Sequence, residues 1–157
     1  MMDSRFIKRS WTKADLKDYV KRNPRFVTEE LRKLMALLPD KLKYGNEPFW
    51  HEGIYWHSAG EFTRWSELRI LQRAKIVSGL IRQVPFILIP QQGKQRETKI
   101  VVDFVYWDCE HDIRIAEDYK GFRTATFIMK KKLFLQLYGH QYTFVESGKN
   151  GERGDKG

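Results

Sequence analysis

The run KIVVDFVYW at residues 99–107 constrains the fold of this chain more than any other feature. It is β-branched and aromatic almost throughout, which is the composition of a strand in a sheet interior. The tight polar turn DCEHD (108–112) and a second strand-like run, IRIAEDYK (113–120), follow. Two strands joined by so short a turn pair antiparallel. One acid, Asp103, interrupts the apolar run. A carboxylate there is costly to bury unless a hydrogen bond, a counter-charge or a metal meets it.

The flanking segments extend the pattern. Ser58 and Glu61 fit a capping box opening a helix over 59–77, with Phe62, Trp65 and Leu68 on one face and Ser78-Gly79 at its end. VPFILIP (84–90) reads as a strand, and Pro85 places its start at an edge. Residues 91–98 form a polar loop. Thr124 caps a helix over 125–138 that Gly139 terminates, and 141–146 is a last strand. PFWHEGIYW (48–56) reads as an aromatic hairpin turning at Glu52-Gly53. The order hairpin, α, β, β, β, α, β predicts an α/β fold, a mixed central β-sheet flanked by helices. Ahead of it, Thr12 and Thr28 cap helices over 13–23 and 29–38, ended by Asn23-Pro24 and Pro39, with a linker at 41–46. The expected organisation is a basic helical N-terminal arm (1–44), a core (45–146) and a flexible tail (147–157).

The net charge of +9 is uneven. Residues 1–44 hold 12 basic and 6 acidic residues, whereas residues 45–144 hold 14 and 11. Such a surface favours a polyanion partner. Several classes are excluded. One cysteine, Cys109, leaves no disulfide scaffold and no cysteine-based zinc site. No apolar run approaches the roughly 20 residues that cross a bilayer. The opening MMDSRFIKRS has no apolar stretch after its basic residues, so no signal peptide is expected and the cytoplasm is the expected location. There is no glycine-rich phosphate loop, so no nucleotide cofactor is implied. The four histidines show no ligand spacing.

The acids of the central hairpin have a chemical use. Asp103 lies seven residues before a turn centred near Glu110 and Asp118 lies eight after it, so the two come nearly opposite. Two carboxylates so placed can hold Mg²⁺, with Mn²⁺ as a substitute. The metal lowers the pKa of a bound water and neutralises charge on a phosphate in transit. Lys120 shares the strand face of Asp118 and can orient the attacking water, or serve simply as an ion-pair partner. Glu117 points to the other face and stays a rival to Asp118 for the third acid. Arg64 can pair with Glu61 or reach a phosphate. Arg123, Lys130 and Lys131 are further phosphate-contact candidates. Trp50, Tyr55, Trp56 and Trp65 suit either a core or a dimer seam.

Glu61 on a helix, Asp103 in a strand and Asp118-Tyr119-Lys120 on the next strand resemble the PD-(D/E)xK nuclease superfamily. The words SAGEFTRWSELRILQRAKIVSGL, VVDFVYW and EDYKGFRT are similar to its archaeal-like Holliday junction resolvases of phage type. The resemblance covers residues 44–146. It implies a restriction-endonuclease-like core and a Mg²⁺-dependent endonuclease acting on DNA. It further implies a homodimer that cuts two opposed strands of a four-way junction, in the host cytoplasm if phage-encoded. On that pattern Glu61, Asp103 and Asp118 are the catalytic, metal-holding acids and Lys120 the catalytic lysine. Val102 departs from the motif's proline, and Asp118 stands where the archaeal enzymes carry Glu. Nuclease action on another DNA structure and a non-enzymatic DNA-binding module are the alternative expectations.

Overall fold

The computed structural model describes residues 13–37, 48–119 and 123–148. Thr12, Pro39, the linker at 41–46, Lys120 and residues 149–157 of the expected tail lie outside the described residues. The elements are α1 (Lys13–Arg22), a 3₁₀ turn (Pro24–Phe26), α2 (Glu29–Leu37), β1 (Phe49–His51), β2 (Ile54–Trp56), α3 (Ala59–Arg73), β3 (Val77–Ile89), β4 (Thr98–Asp108), β5 (Ile113–Tyr119), α4 (Ala125–Tyr138) and β6 (Thr143–Ser147). β3, β4, β5 and β6 form one four-stranded sheet in that order. The first three are antiparallel, and β6 runs parallel to β5 after the α4 crossover. The protein is therefore a mixed α/β fold with helices on both faces of a mixed sheet, as the sequence pattern predicts. β1 and β2 pair separately, through a turn in which Glu52 and Gly53 both take positive φ, 49° and 74°. That mirror-image turn matches the twist of a two-residue hairpin.

One boundary differs from expectation. α3 stops at Arg73, residues 74–76 form a turn, and Val77, read as the helix's last residue, opens β3. Lys75 takes φ 59°, with Lys75 N–H donating to the Gln72 carbonyl (3.0 Å) and Ile76 N–H to the Leu71 carbonyl (3.0 Å). This is a Schellman closure with lysine at the left-handed position that glycine usually takes. Gly79 (φ 61°) instead sits in the register shift between Ser78 and Ile81 in β3, where a bulge needs it. β3 is an edge strand, which Pro85 tolerates.

The sheet separates two apolar clusters. Leu68, Leu71, Ile76, Val77, Phe104, Tyr106 and Ile115 pack on the α3 side. Phe86, Leu88, Ile100, Val102, Ala116, Phe127 and Phe134 pack on the α4 side. Tyr19, Val20, Val27 and Met35 of the N-terminal helices lie against the first cluster. These helices are thus docked on the core, with Lys17, Lys21, Arg22, Arg25, Arg32 and Lys33 exposed.

Candidate active site

Three elements, α3, β4 and β5, carry the expected acids. β4 pairs with β5 from Asp108↔Ile113 to Phe104↔Glu117. The next step along both strands brings Asp103 opposite Asp118, and there the ladder stops. The Asp103 carboxylate takes over: its Oδ2 accepts the Tyr119 backbone N–H at 2.8 Å. On the other side of β4, the β3 ladder passes over Gln83 and Asp103, and Gln83 takes φ 51°. Asp103 Oδ1 accepts from Gln83 Nε2 at 2.9 Å. Asp103 therefore sits where the backbone pairing of its strand is interrupted on both sides.

Glu61 arrives from α3. Ser58 Oγ accepts the Glu61 N–H at 3.1 Å, so half of the capping box forms. The Glu61 side chain points into the protein instead of back to the cap, and the residue is buried. Its Oε1 accepts from the same Gln83 Nε2 at 3.2 Å and meets Arg82 at 3.5 Å, with His57 3.9 Å from Oε2. Burial pushes its carboxyl above the usual range, and the nearby Asp103 charge adds to this, outweighing Arg82 and His57. The Arg82 guanidinium lies 3.8 Å over the buried Trp56 ring, which fixes it beside Glu61. Trp50 and Tyr55, unlike the packed Trp56, stay exposed on the hairpin.

Tyr119 ties this corner together. A Cβ on Gly60 would run into the Tyr119 hydroxyl, so the phenol occupies the space that glycine leaves on the first turn of α3. Gly60→Ala should cost about 1–3 kcal/mol by overpacking. In a Tyr119→Ala background the same substitution should cost little. Chemical denaturation of the four proteins in that cycle measures the coupling; additive losses would contradict it.

Asp118 is buried, and β6 places Glu146 beside it in register. Glu117 projects to the other face. There Arg64 grips it with Nε at 2.6 Å and Nη2 at 3.1 Å, and Tyr106 donates its hydroxyl at 2.6 Å. Burial alone would raise the Glu117 carboxyl, yet the Arg64 charge and these hydrogen bonds hold it below its ordinary range. Glu117 is thus the anion of a buried ion pair. The expectation for Arg64 is corrected by the same contacts. Its guanidinium serves Glu117 and Glu67, and its burial between them keeps it from a phosphate. Arg123 and Lys131 each meet Glu146 at 2.6 Å and are partly exposed. Lys130 is half-buried on α4. In the turn at 108–112, Asp108 accepts from the Glu110 and His111 backbone N–H groups and lies 2.8 Å from His111 Nδ1, a structural use of that histidine.

Gly60, Arg82, Gln83 and Tyr119 belong to the site without having stood out in the sequence. A polar Gln in the otherwise apolar run around Pro85 was the one available signal. Among the described residues no group of three or more His, Cys, Asp or Glu side chains is gathered as a cation cage. Glu61 and Asp103, joined through one amide nitrogen, are the two carboxylates that could share a hard cation, since Mg²⁺ needs few protein carboxylates and takes its other ligands from water and substrate phosphate.

The fold and site define a mixed α/β protein with a carboxylate pair where its central strands part. The model of a family described as a protein of unknown function, DUF1064, matches residues 41–149, and the chain belongs to that family. α1 and α2 precede the matched region. No curated protein and no solved structure matches the chain. Among the described residues no helix is long and apolar enough to cross a membrane.

Proposed function

We propose that this protein is a metal-dependent, structure-selective DNA endonuclease with a PD-(D/E)xK core, a Holliday junction resolvase acting as a homodimer. The observation that carries the reading is the pairing of Glu61 from α3 with Asp103 from β4 across a single amide nitrogen. Asp118, opposite Asp103 on β5, keeps the superfamily order of helical acid, strand acid and D-x-K acid. Glu61 and Asp103 would hold Mg²⁺, or Mn²⁺ in its place, with Asp118 as the third acid of the pattern. A bound cation of this kind lowers the pKa of a water and offsets charge on the phosphate under attack. Lys120, two residues from Asp118, would orient that water. The reading is supported also by the excess of positive charge around a cluster of acids.

A non-enzymatic DNA-binding module is the second reading, favoured by the exposed lysines and arginines of α1 and α2, which need no acid site to hold a phosphate backbone. A panel of four-way junction, flap, duplex and single-stranded DNA, each with and without Mg²⁺, separates the two. Cleavage that needs Mg²⁺ supports the nuclease, and its preferred substrate identifies the DNA structure. Binding without turnover on every substrate supports the module.

Deleting the N-terminal helices would uncover Tyr19, Val20, Val27 and Met35, so charge neutralisation is the cleaner probe of their role. Lys17, Lys21 and Lys33 changed together to Gln should weaken DNA binding. The slope of log affinity against log salt should become shallower by about one for each phosphate that these lysines neutralise. An unchanged slope in fluorescence-anisotropy titrations would remove them from the interface.

A further inference from the structure

The Gln83 carboxamide nitrogen lies between two carboxylates from different elements, 3.2 Å from Glu61 Oε1 and 2.9 Å from Asp103 Oδ1. Chemistry fixes which end of the amide faces them. An amide oxygen there would meet two acceptors, whereas the NH₂ group has one hydrogen for each acid. The backbone is committed to this placement: Gln83 takes φ 51°, uncommon for a non-glycine residue, and drops out of the β3–β4 ladder. The residue is exposed on an edge strand while Glu61 is buried, so the amide closes the pair from the solvent side.

We propose that Gln83 is a displaceable latch on the cation site. It ties the two acids together when no cation is bound and must swing outward for one to bind. The inference rests on the metal-dependent reading of Glu61 and Asp103, and adds a regulating residue to that site. The amide and the cation compete for the same two oxygens, so apparent cation affinity is reduced to the fraction of time the latch stands open. Its other effect is protective. Without a donor between them, two carboxylates in a partly buried site repel and the fold loses stability.

Gln83→Met keeps the side-chain length and removes both hydrogens. Calorimetric titration with Mn²⁺ and with Mg²⁺, beside thermal melts without metal, tests the latch on the full chain. If it stands closed nine-tenths of the time, Gln83→Met should bind about tenfold tighter than wild type. It should also melt lower without metal and gain more from added Mn²⁺. Equal or weaker binding by Gln83→Met, with wild type binding normally, overturns the latch and leaves the cation site standing. Weaker binding would make Gln83 a ligand in its own right. If wild type and Gln83→Met both fail to bind either cation, the metal-site reading falls and the latch with it.

Discussion

Asp103→Asn should leave the protein folded and able to bind a four-way junction, while cutting Mg²⁺-dependent cleavage by at least about a thousandfold. The effect is large because a metal-supported transition state draws several kcal/mol from its charged ligands, and each 1.36 kcal/mol is a factor of ten. The fold should survive because asparagine keeps the shape and an acceptor oxygen for the Tyr119 N–H, the bond that replaces the missing ladder step. Single-turnover cleavage, junction binding by anisotropy and a thermal melt check the three parts. Cleavage within about tenfold of wild type would exclude Asp103 from the chemistry.

Arg64→Met should be strongly destabilising. It leaves the buried Glu117 carboxylate without its counter-charge, a loss of about 3–5 kcal/mol. For a chain of this length that lowers Tm by on the order of ten degrees. The pH dependence should change sign as well. In wild type the Glu117 carboxyl is held below its ordinary range. Its contribution to stability is therefore present above the unfolded value, about 4.3, and is lost as pH falls through the lower folded value. In Arg64→Met, burial is no longer opposed and pushes the same carboxyl upward. Stability should then fall as pH rises from about 4 to 7. Melts across that window distinguish this from a simple packing defect, which would shift Tm equally at every pH.

The hairpin of β4 and β5 was readable from the chain because its information is local. A short turn fixes the pairing and strand parity fixes the faces, so the opposition of Asp103 and Asp118 follows from counting. The bonding partners were not local. Arg64 and Glu117 are 53 residues apart, and Gln83 reaches Glu61 and Asp103 over 22 and 20 residues. Periodicity carries no trace of such pairs. Arg64 therefore read as a partner for Glu61 or for a phosphate, although its guanidinium is committed to a buried salt bridge with Glu117. The early end of α3 was hidden for another reason. Lys75 adopts the left-handed cap conformation expected of glycine, and Gly79 four residues on offered a false terminator. The same false terminator hid the first half of β3, and with it the placement of Arg82 and Gln83 beside the acids. Glu61 shows the converse: its spacing from Ser58 explained the helix start and concealed where its carboxylate goes.

If the acids joined at Gln83 cut DNA with the help of a divalent cation, wild-type protein incubated with an end-labelled four-way junction tests it most directly, in Mg²⁺ and in chelator. Paired nicks at symmetric positions on two opposed strands are expected, and only when Mg²⁺ is present. A junction that is bound by the protein yet left uncut in Mg²⁺ and in Mn²⁺ would contradict the junction-resolving reading.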